Sequence, residues 1–398
     1  MTNSGRITKK DEQIKTFNKT FLKNIMEKKK TKVLVALSGG VDSSIAAYLM
    51  NKEGHEVICA FMKNWSDTKN DMGECSWRED RRMARRVTAK LNLPLITLDF
   101  EKEYRKSVVE EMFKQYKEGI TPNPDVDCNQ LVKFPLLWKA AKKLGCQYIV
   151  TGHYARIKKK KNKYYLLRGK EDLKDQSYFL YRLSQEDLSH TLFPIGEYTK
   201  KEIRNIAKKL ELPNHDREST KGICFIGKVN LKEFLKKKIK QKKGKILSPE
   251  GKIIGEHDGV FYYTIGQRIG PRFGIDINPG VRDRINSQRW YVAKKDVKKN
   301  IIVAAPKGHP ILLKKYFTIK NLHLITEDIK ETKKKKMTVD VRIRKVGELL
   351  PAKMKYETKK KSFTITLKEG ATGISQGQAS VIYKPKSYEV IGGGIVSS

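Results

Sequence analysis

The sequence predicts an α/β protein: a parallel-sheet domain, then a small central domain, then a C-terminal β-barrel. Three observations carry this. From Val33 to about Gly152, apolar strand-like runs alternate with segments of helical period, the pattern of a parallel sheet covered on both faces. The run Val33–Leu37 breaks at Ser38-Gly39-Gly40 and gives way to a helical period through Ile45, Ala46, Leu49 and Met50. After Gly227 the chain turns to short glycine-bounded pieces, and from Ile301 onward to short alternating strands such as KMTVDVRIRKVG, SFTITL and ASVIYK. Such spacing suits a small barrel or sandwich. The expected divisions are a polar extension over 1–30, the parallel-sheet domain over 31–230, a central domain over 231–297 and the barrel over 298–398.

In chain order, the first helix ends before Gly54 and HEVICAFM (His55–Met62) reads as the second strand. A charged helix covers Trp77–Leu91, and Pro94 precedes a third strand, LITLDF. One helix runs from about Glu101 to Lys117 and stops at Gly119; the next runs from about Asn129 to Leu144 and stops at Gly145. QYIVTGHYA (Gln147–Ala155) supplies a fourth strand, and Lys158–Lys161 reads as a solvated hairpin tip. KYYLLRG and DQSYFLYRLS are aromatic and partly alternating. An amphipathic helix covers Thr199–Leu210 and stops at Pro213. His215–Gly227 has neither period and is expected to be a mobile loop; a lysine-rich helix, Leu231–Lys242, follows it. In the first thirty residues Ile14, Phe17, Phe21 and Ile25 fall at helical spacing, which suggests a short solvated helix. Asp11, Glu12 and Glu27 argue against an organelle transit segment.

The 398 residues suffice for two or three domains with cores of their own. A formal charge of +40 attracts polyanions, nucleic acid foremost, although lysine is spread along the whole chain and the charge does not locate a partner. Five cysteines, Cys59, Cys75, Cys128, Cys146 and Cys224, are too few and scattered for a disulfide framework, and none makes a Cys-x-x-Cys pair. A reducing cytosol fits this usage best. No apolar run approaches a membrane span, and no signal-peptide core is present.

Chemistry concentrates first at KVLVALSGGVDSS (Lys32–Ser44). A strand, a glycine turn and a helix opening on small hydroxyl residues direct backbone N–H groups and the positive helix end at one anion. A Walker loop needs a lysine just after its last glycine, and none follows Gly40 until Lys52. The dinucleotide fingerprint needs three spaced glycines, and only an adjacent pair is present. The loop resembles the pyrophosphate loop of the N-type ATP pyrophosphatases, which implies cleavage of ATP to AMP and pyrophosphate. Ligands bind off the carboxyl ends of strands in such sheets, so Ser38–Ser44, Met62 and Gly152-His153 should meet at that edge.

Two cysteines stand out. Cys128 lies in TPNPDVDCNQ, where two prolines stiffen the approach and Asn129 is placed to cap the helix behind it. A thiol beside a helix N-terminus gains thiolate character; Asp125 and Asp127 oppose this if they face the sulfur, or accept its proton. Cys224 sits in GICFIG with Lys221 and Arg217 near enough in sequence to support a thiolate or persulfide. Cys59 and Cys146, in strand-like or helix-end settings, read as small buried apolar residues.

SGGVDSS, FMKNW, TPNPDVDCN, TGHYAR, DQSYFLYRL, KGICFIG and YTIGQRIG occur together and in this order. They resemble the tRNA-specific 2-thiouridylases of the MnmA type from about Lys32 to the end of the chain. The resemblance implies an ATP site at Ala36, Leu37, Ser38, Gly39, Gly40, Val41, Asp42 and Ser43, completed by Met62 and Gly152. It implies target-base contacts at Asn123, Pro124 and Asp125, a nucleophile at Cys128 and a persulfide carrier at Cys224. Contacts to tRNA would fall on His153, Lys174, Asp175, Gln176, Arg342, Ile343 and Gln378. The implied cofactors are ATP and Mg²⁺, with Asp42 or its helix end helping to place the metal. The implied partners are the anticodon arm of tRNA and a sulfur-donor protein, a cysteine desulfurase or sulfur-relay protein. Asp127 and the PLLW stretch after Phe134 depart from the family pattern and put the tuning of Cys128 in question. A tRNA lysidine synthetase or a GMP-synthetase-like amidotransferase remains the alternative within the class. Outside enzymes, the alternative is an RNA-binding protein on a vestigial nucleotide fold.

Overall fold

The computed structural model describes residues 31–66, 76–218, 231–270, 275–278, 289–344 and 347–397. The expected helix in residues 1–30, the Cys224 segment with Lys221, and Cys75 lie outside them. The first sheet is parallel throughout, in the order β3-β2-β1-β4-β7, from β1 (Lys32–Ala36), β2 (Glu56–Lys63), β3 (Leu95–Asp99), β4 (Tyr148–Val150) and β7 (Thr191–Leu192). Val33, Leu34 and Val35 are fully buried, so β1 is covered on both faces, as a central parallel strand must be. The chain crosses from β3 back to β4 on the other side of β1, which makes the β1–β4 crevice the topological switch point where such sheets hold ligands.

Helices α1 (Val41–Lys52) and α2 (Ser76–Leu91) cover this sheet. Helix α3 spans 101–117 as Glu101–Tyr104, a π-helical stretch Arg105–Val109, and Glu110–Lys117. Helix α4 spans 124–143 as Pro124–Cys128, a second π stretch Asn129–Lys133, and Phe134–Lys143. The expected start at Asn129 is therefore five residues late. Pro124 is at the first helical position, where its fixed φ and missing N–H cost nothing, and Asp125 and Asp127 suit the positive end of the dipole. The π stretch has a local cause: Pro135 offers no N–H to the carbonyl four residues back, and the ladder widens just before it. Asn129 caps nothing; its Nδ2 donates to Phe179 O at 3.1 Å.

The fourth strand stops at Val150, short of Ala155. There the chain leaves the sheet, because Gly152 packs against the start of α1; Ala155 instead opens the hairpin β5 (Ala155–Lys160) and β6 (Lys163–Arg168). Lys158–Lys161 is its exposed end. Two further helices follow, α5 (Gln185–Ser189) and α6 (Lys200–Lys209), the latter capped by a reciprocal Thr199–Glu202 box. Helix α7 (Leu231–Lys236) is shorter than the expected Leu231–Lys242. Its apolar side ends at Ile239, whose carbonyl accepts from the Tyr262 hydroxyl, and the lysines beyond run out to β8 (Gly244–Leu247).

The central domain is a six-stranded mixed sheet, β10-β12-β13-β8-β9-β11, with β9 (Ile253–His257), β10 (Arg268–Ile269), β11 (Asp276–Ile277), β12 (Trp290–Asp296) and β13 (Ile301–Pro306). The C-terminal unit is a closed barrel, β14-β17-β16-β15-β18-β19, from β14 (Lys314–Leu324), β15 (Met337–Arg342), β16 (Leu350–Glu357), β17 (Ser362–Ala371), β18 (Ala379–Tyr383) and β19 (Val390–Val396). Both pack on the parallel-sheet domain. One buried cluster joins Trp65, Tyr104 and Cys128 to Tyr263 and Val292; another joins Val126, Phe134 and Tyr178 to Val381 and Tyr383. No helix among the described residues is long and apolar enough to cross a membrane.

Candidate active site

The loop after β1 is built to leave donors unused. Gly40 is the N-cap of α1 and has no side chain with which to cap it, so the amides of Val41, Asp42 and Ser43 find no acceptor among the described residues. The first-turn N–H groups of a helix are orphans unless something external accepts from them, and an anion does so best. The hydroxyls are turned inward to brace the loop. Ser43 Oγ donates to Gly40 O (3.0 Å) and accepts from Ser38 N (3.2 Å), and Ser44 Oγ donates to Gly40 O (2.9 Å). Gly39 has φ +79°, and a Cβ there would lie 2.5 Å from Asp80 O. A Cβ on Gly152 would lie 2.7 Å from Ser43 N and 2.9 Å from Asp42 C. Both glycines are demanded by close approach. Ala36, Leu37, Met62 and Gly152 thus come to one sheet edge with the loop.

Asp42 is half committed elsewhere. Its Oδ1 accepts from the Tyr154 hydroxyl at 2.8 Å and from Lys200 Nζ at 2.5 Å, while Oδ2 has no partner among the described residues. Those residues contain no group of three or more acidic, histidine or cysteine side chains fit to hold a metal. Mg²⁺ in nucleotide sites is bound largely by phosphates and water with one or two carboxylates, and Asp42 Oδ2 is such an oxygen at this loop. The donor set fits a metal carried in by the phosphates.

Three residues that the sequence did not assign to the loop support it. Asn214 is fully buried, and its Nδ2 donates to Gly39 O (2.8 Å) and Ser44 Oγ (2.9 Å). Arg217 Nη1 donates to Gly39 O at 3.3 Å, and its Nη2 pairs with Asp80 at 2.5 Å. That ties Arg217 to the glycine loop; the Cys224 it was expected to support lies outside the described residues. Burial pushes the Asp80 carboxyl upward, against the pull of Arg217. Lys200, the third, neutralises Asp42. All three lie more than a hundred residues from the loop in sequence, and only folding shows that the segment after α6 runs beneath it.

Cys128 lies in the second turn of α4 rather than at a helix start. It is fully buried, in the cluster of Trp65, Tyr104 and Val132. Trp65 follows Met62 on the chain leaving the carboxyl end of β2, so the cluster around Cys128 includes a residue from that sheet edge. Asp125 and Cys128, three residues apart, share one helix face. Asn123, Val126, Asp127, Gln130 and Leu131 form another, and line a cavity of about 350 Å³ against the barrel. Asp127 resolves its departure from the family pattern: its carboxylate pairs with Arg182 at 2.8 Å, and burial outweighs that pairing to raise its pKa. It faces Arg182, not the thiol. Of the other described cysteines, burial pushes Cys59 up to about 12 and Cys146 upward as well, the behaviour of inert apolar residues. Phe134 of α4 stacks on His153 at 6.0 Å, and His153 Nδ1 meets Thr151 Oγ1 at 2.7 Å. The cysteine helix is thereby docked on the β4 loop.

Models for a tRNA methyl transferase HUP domain, a tRNA methyl transferase PRC-barrel domain and an aminomethyltransferase β-barrel domain match residues 31–228, 232–306 and 314–396. A tRNA-specific 2-thiouridylase MnmA of Methylobacillus flagellatus is 39% identical over 380 residues, covering 93% of this chain and 99% of that protein. The chain belongs to the MnmA family. The MnmA of Bacillus subtilis is 37% identical over 367 residues, 92% of this chain and 95% of that protein. MnmA 1 of Geobacillus kaustophilus is 46% identical over 303 residues, 76% of this chain and 80% of that protein. The model descriptions speak of methyl transfer, whereas these relatives are thiouridylases.

In this MnmA member the residues expected to touch tRNA divide in two. Lys174 is exposed beside an outstanding Leu173, and Gln176 is half-buried, its Oε1 accepting from Tyr154 N at 2.9 Å. Asp175, Arg342 and Ile343 are buried, and none presents its side chain to solvent. Asp175 Oδ2 accepts from Arg342 Nη1 at 2.6 Å and from Ser177 Oγ at 2.9 Å; its Oδ1 accepts from Gly169 N and Ser177 N. The pair ties the barrel to the parallel-sheet domain. Removing one partner of a buried ion pair costs roughly 3–5 kcal/mol. Arg342→Met is therefore expected to lower the barrel's denaturation midpoint and to speed hydrogen exchange in β15 and β18. Unchanged exchange with weakened RNA binding would assign Arg342 to the RNA instead.

Proposed function

We propose that this chain is a tRNA sulfurtransferase that forms 2-thiouridine at the wobble position, consuming ATP and releasing AMP and pyrophosphate. The observation that carries the reading is the uncapped glycine loop at the switch point, with a buried cysteine helix docked on the same sheet edge. The loop amides hold the pyrophosphate that leaves. The uracil 2-oxygen attacks the α-phosphorus, so a poor leaving oxygen becomes AMP. Mg²⁺, when bound, supplies charge neutralisation to the phosphates, with Asp42 at its side. A donor protein, a cysteine desulfurase or sulfur-relay protein, delivers sulfane sulfur to Cys224. The terminal sulfur of that persulfide attacks C2 and AMP departs, leaving the base joined to Cys224 through a disulfide. The Cys128 thiolate attacks the Cys224 sulfur, releases the 2-thio base and closes a Cys128–Cys224 disulfide, which a thiol reductant reopens. In this reading Asn123, Pro124 and Asp125, which lead α4, meet a base extruded from the anticodon loop, and single-stranded RNA permits such extrusion. His153, Lys174, Gln176 and Gln378 belong to the RNA-facing side in this reading, with the chain's positive charge supplying backbone affinity.

The test is ATP-dependent thiolation of an anticodon stem-loop RNA by the full chain, with a persulfide donor present. One AMP and one pyrophosphate are expected per 2-thiouridine; Cys224→Ser should form no 2-thiouridine and release no AMP by sulfur attack, its pyrophosphate release stopping after about one adenylation per chain. Thiolation without ATP, or nucleotide turnover uncoupled from RNA, overturns the reading.

A further inference from the structure

The connector between α3 and α4, residues 119–123, delivers Asn123 and the cysteine helix to the site, and two other domains hold it. Helix α3 closes locally: Gly119 takes φ +75° and Ile120 N returns to Gln115 O at 2.9 Å. Beyond that, the connector's groups go elsewhere. Gly119 O accepts from Lys295 Nζ of β12 at 2.8 Å, and the same ammonium donates to Tyr263 O at 2.7 Å. Thr121 Oγ1 meets Thr264 Oγ1 at 3.1 Å, again in the central domain. From the barrel, Gln378 Nε2 donates to Thr121 O (3.0 Å) and Pro122 O (2.9 Å), and Thr121 N donates to Gln376 O (3.1 Å). There is no slack. A Cβ on Gly119 would lie 2.3 Å from Val297 Cγ2, and one on Gly377 2.3 Å from Ile120 Cγ2.

We propose that Lys295 is a positioning residue for the reaction, a latch by which the central domain fixes the connector and so aims Asn123–Cys128. The inference rests on the thiolation reading above. Lys295 makes no ion pair among the described residues; its partners are two carbonyls. Burial lowers its pKa to about 8, so an ammonium is kept in a place that disfavours it, which is poor design for stability alone. What it supplies is direction: one tetrahedral head joins the end of α3 to the Tyr263–Gly270 turn. Catalytic groups displaced by about an ångström lose on the order of a hundredfold in rate. Gln378 holds the same connector from the opposite domain, so part of what its loss does to activity acts through the connector.

The experiment compares Lys295→Met, Lys295→Arg, Gln378→Leu and the Lys295→Met/Gln378→Leu double variant in the full chain. It follows kcat, the KM values for ATP and anticodon stem-loop RNA, and the thermal midpoint. Lys295→Met is expected to lower kcat by about thirtyfold to a hundredfold with both KM values within about threefold, and Lys295→Arg to recover about tenfold of that loss. The two clamps do not touch, so a double variant less impaired than the product of the singles places their coupling in the connector. Wild-type kcat in Lys295→Met, or independent effects in the double variant, overturns the proposal. If Lys295→Met does not fold, Lys295→Arg and Gln378→Leu with their combination carry the same comparison. A wild-type chain that does not thiolate RNA defeats the thiolation reading instead.

Discussion

Replacing Cys128 with serine is expected to abolish turnover to 2-thiouridine, by about a thousandfold or more, without abolishing the first round of ATP cleavage. Serine has nearly the shape of cysteine, so α4 and its buried cluster around Trp65 and Tyr104 should be undisturbed. What changes is the nucleophile: a hydroxyl at neutral pH has almost no anion and attacks sulfur poorly. If Cys128 acts only to release the product, adenylation and attack by the Cys224 persulfide still occur. The base then stays joined to Cys224. A single burst of about one AMP per chain is expected in thiol-free buffer, together with an RNA–protein adduct on denaturing gels that a thiol reductant dissolves. An undiminished steady-state rate removes Cys128 from the mechanism. Loss of the AMP burst as well would put Cys128 ahead of sulfur transfer rather than after it.

The parallel sheet was legible because its signals are local. Val33–Leu37, HEVICAFM and LITLDF are apolar runs bounded by glycine, proline or charge, and each became a strand within a residue or two. The barrel was legible from its alternating strands but not its start: β13, inside the stretch expected to begin it at 298, pairs into the central sheet, and the barrel opens at β14. What misled was punctuation with two readings. Prolines at 122 and 124 mark either a stiff loop or the first turn of a helix, and the backbone donors they lack decide for the helix only once α3 is seen to end at Lys117. Burial was the other blind spot. The resemblance set Asp175 and Arg342 among tRNA contacts; charged side chains are seldom buried unless paired, and the pairing that buries these two joins residues 167 apart. Asn214 and Lys295 give no signal at all. Each is a common polar residue whose importance lies in which carbonyl it reaches across a domain or loop boundary.

The same close contacts make Gly152→Val the most disruptive single change expected at the nucleotide loop. Gly152 stands between β4 and α1, where even the first side-chain carbon would lie 2.7 Å from Ser43 N and 2.9 Å from Asp42 C. Those are backbone atoms, and no rotamer relieves the overlap. The start of α1 must move away, and with it the amides of Val41, Asp42 and Ser43 that the phosphate chain requires. Gly152→Val adds two methyl groups in the same place, whereas Gly152→Ala adds only the Cβ, so the effects should be graded. Oriented donors at a developing charge are worth on the order of a hundredfold to a thousandfold in rate each, and more than one is displaced. ATP cleavage should therefore fall by about a thousandfold or more in Gly152→Val and by less in Gly152→Ala. RNA binding should fall far less than ATP cleavage in both, because the neighbouring His153 is one RNA contact among several, with Lys174, Gln176 and Gln378 on other segments. The ordering matters as much as the size. If RNA binding collapses together with ATP cleavage, the loop supports the whole domain rather than the nucleotide; if valine is tolerated, the leaving pyrophosphate is held somewhere else.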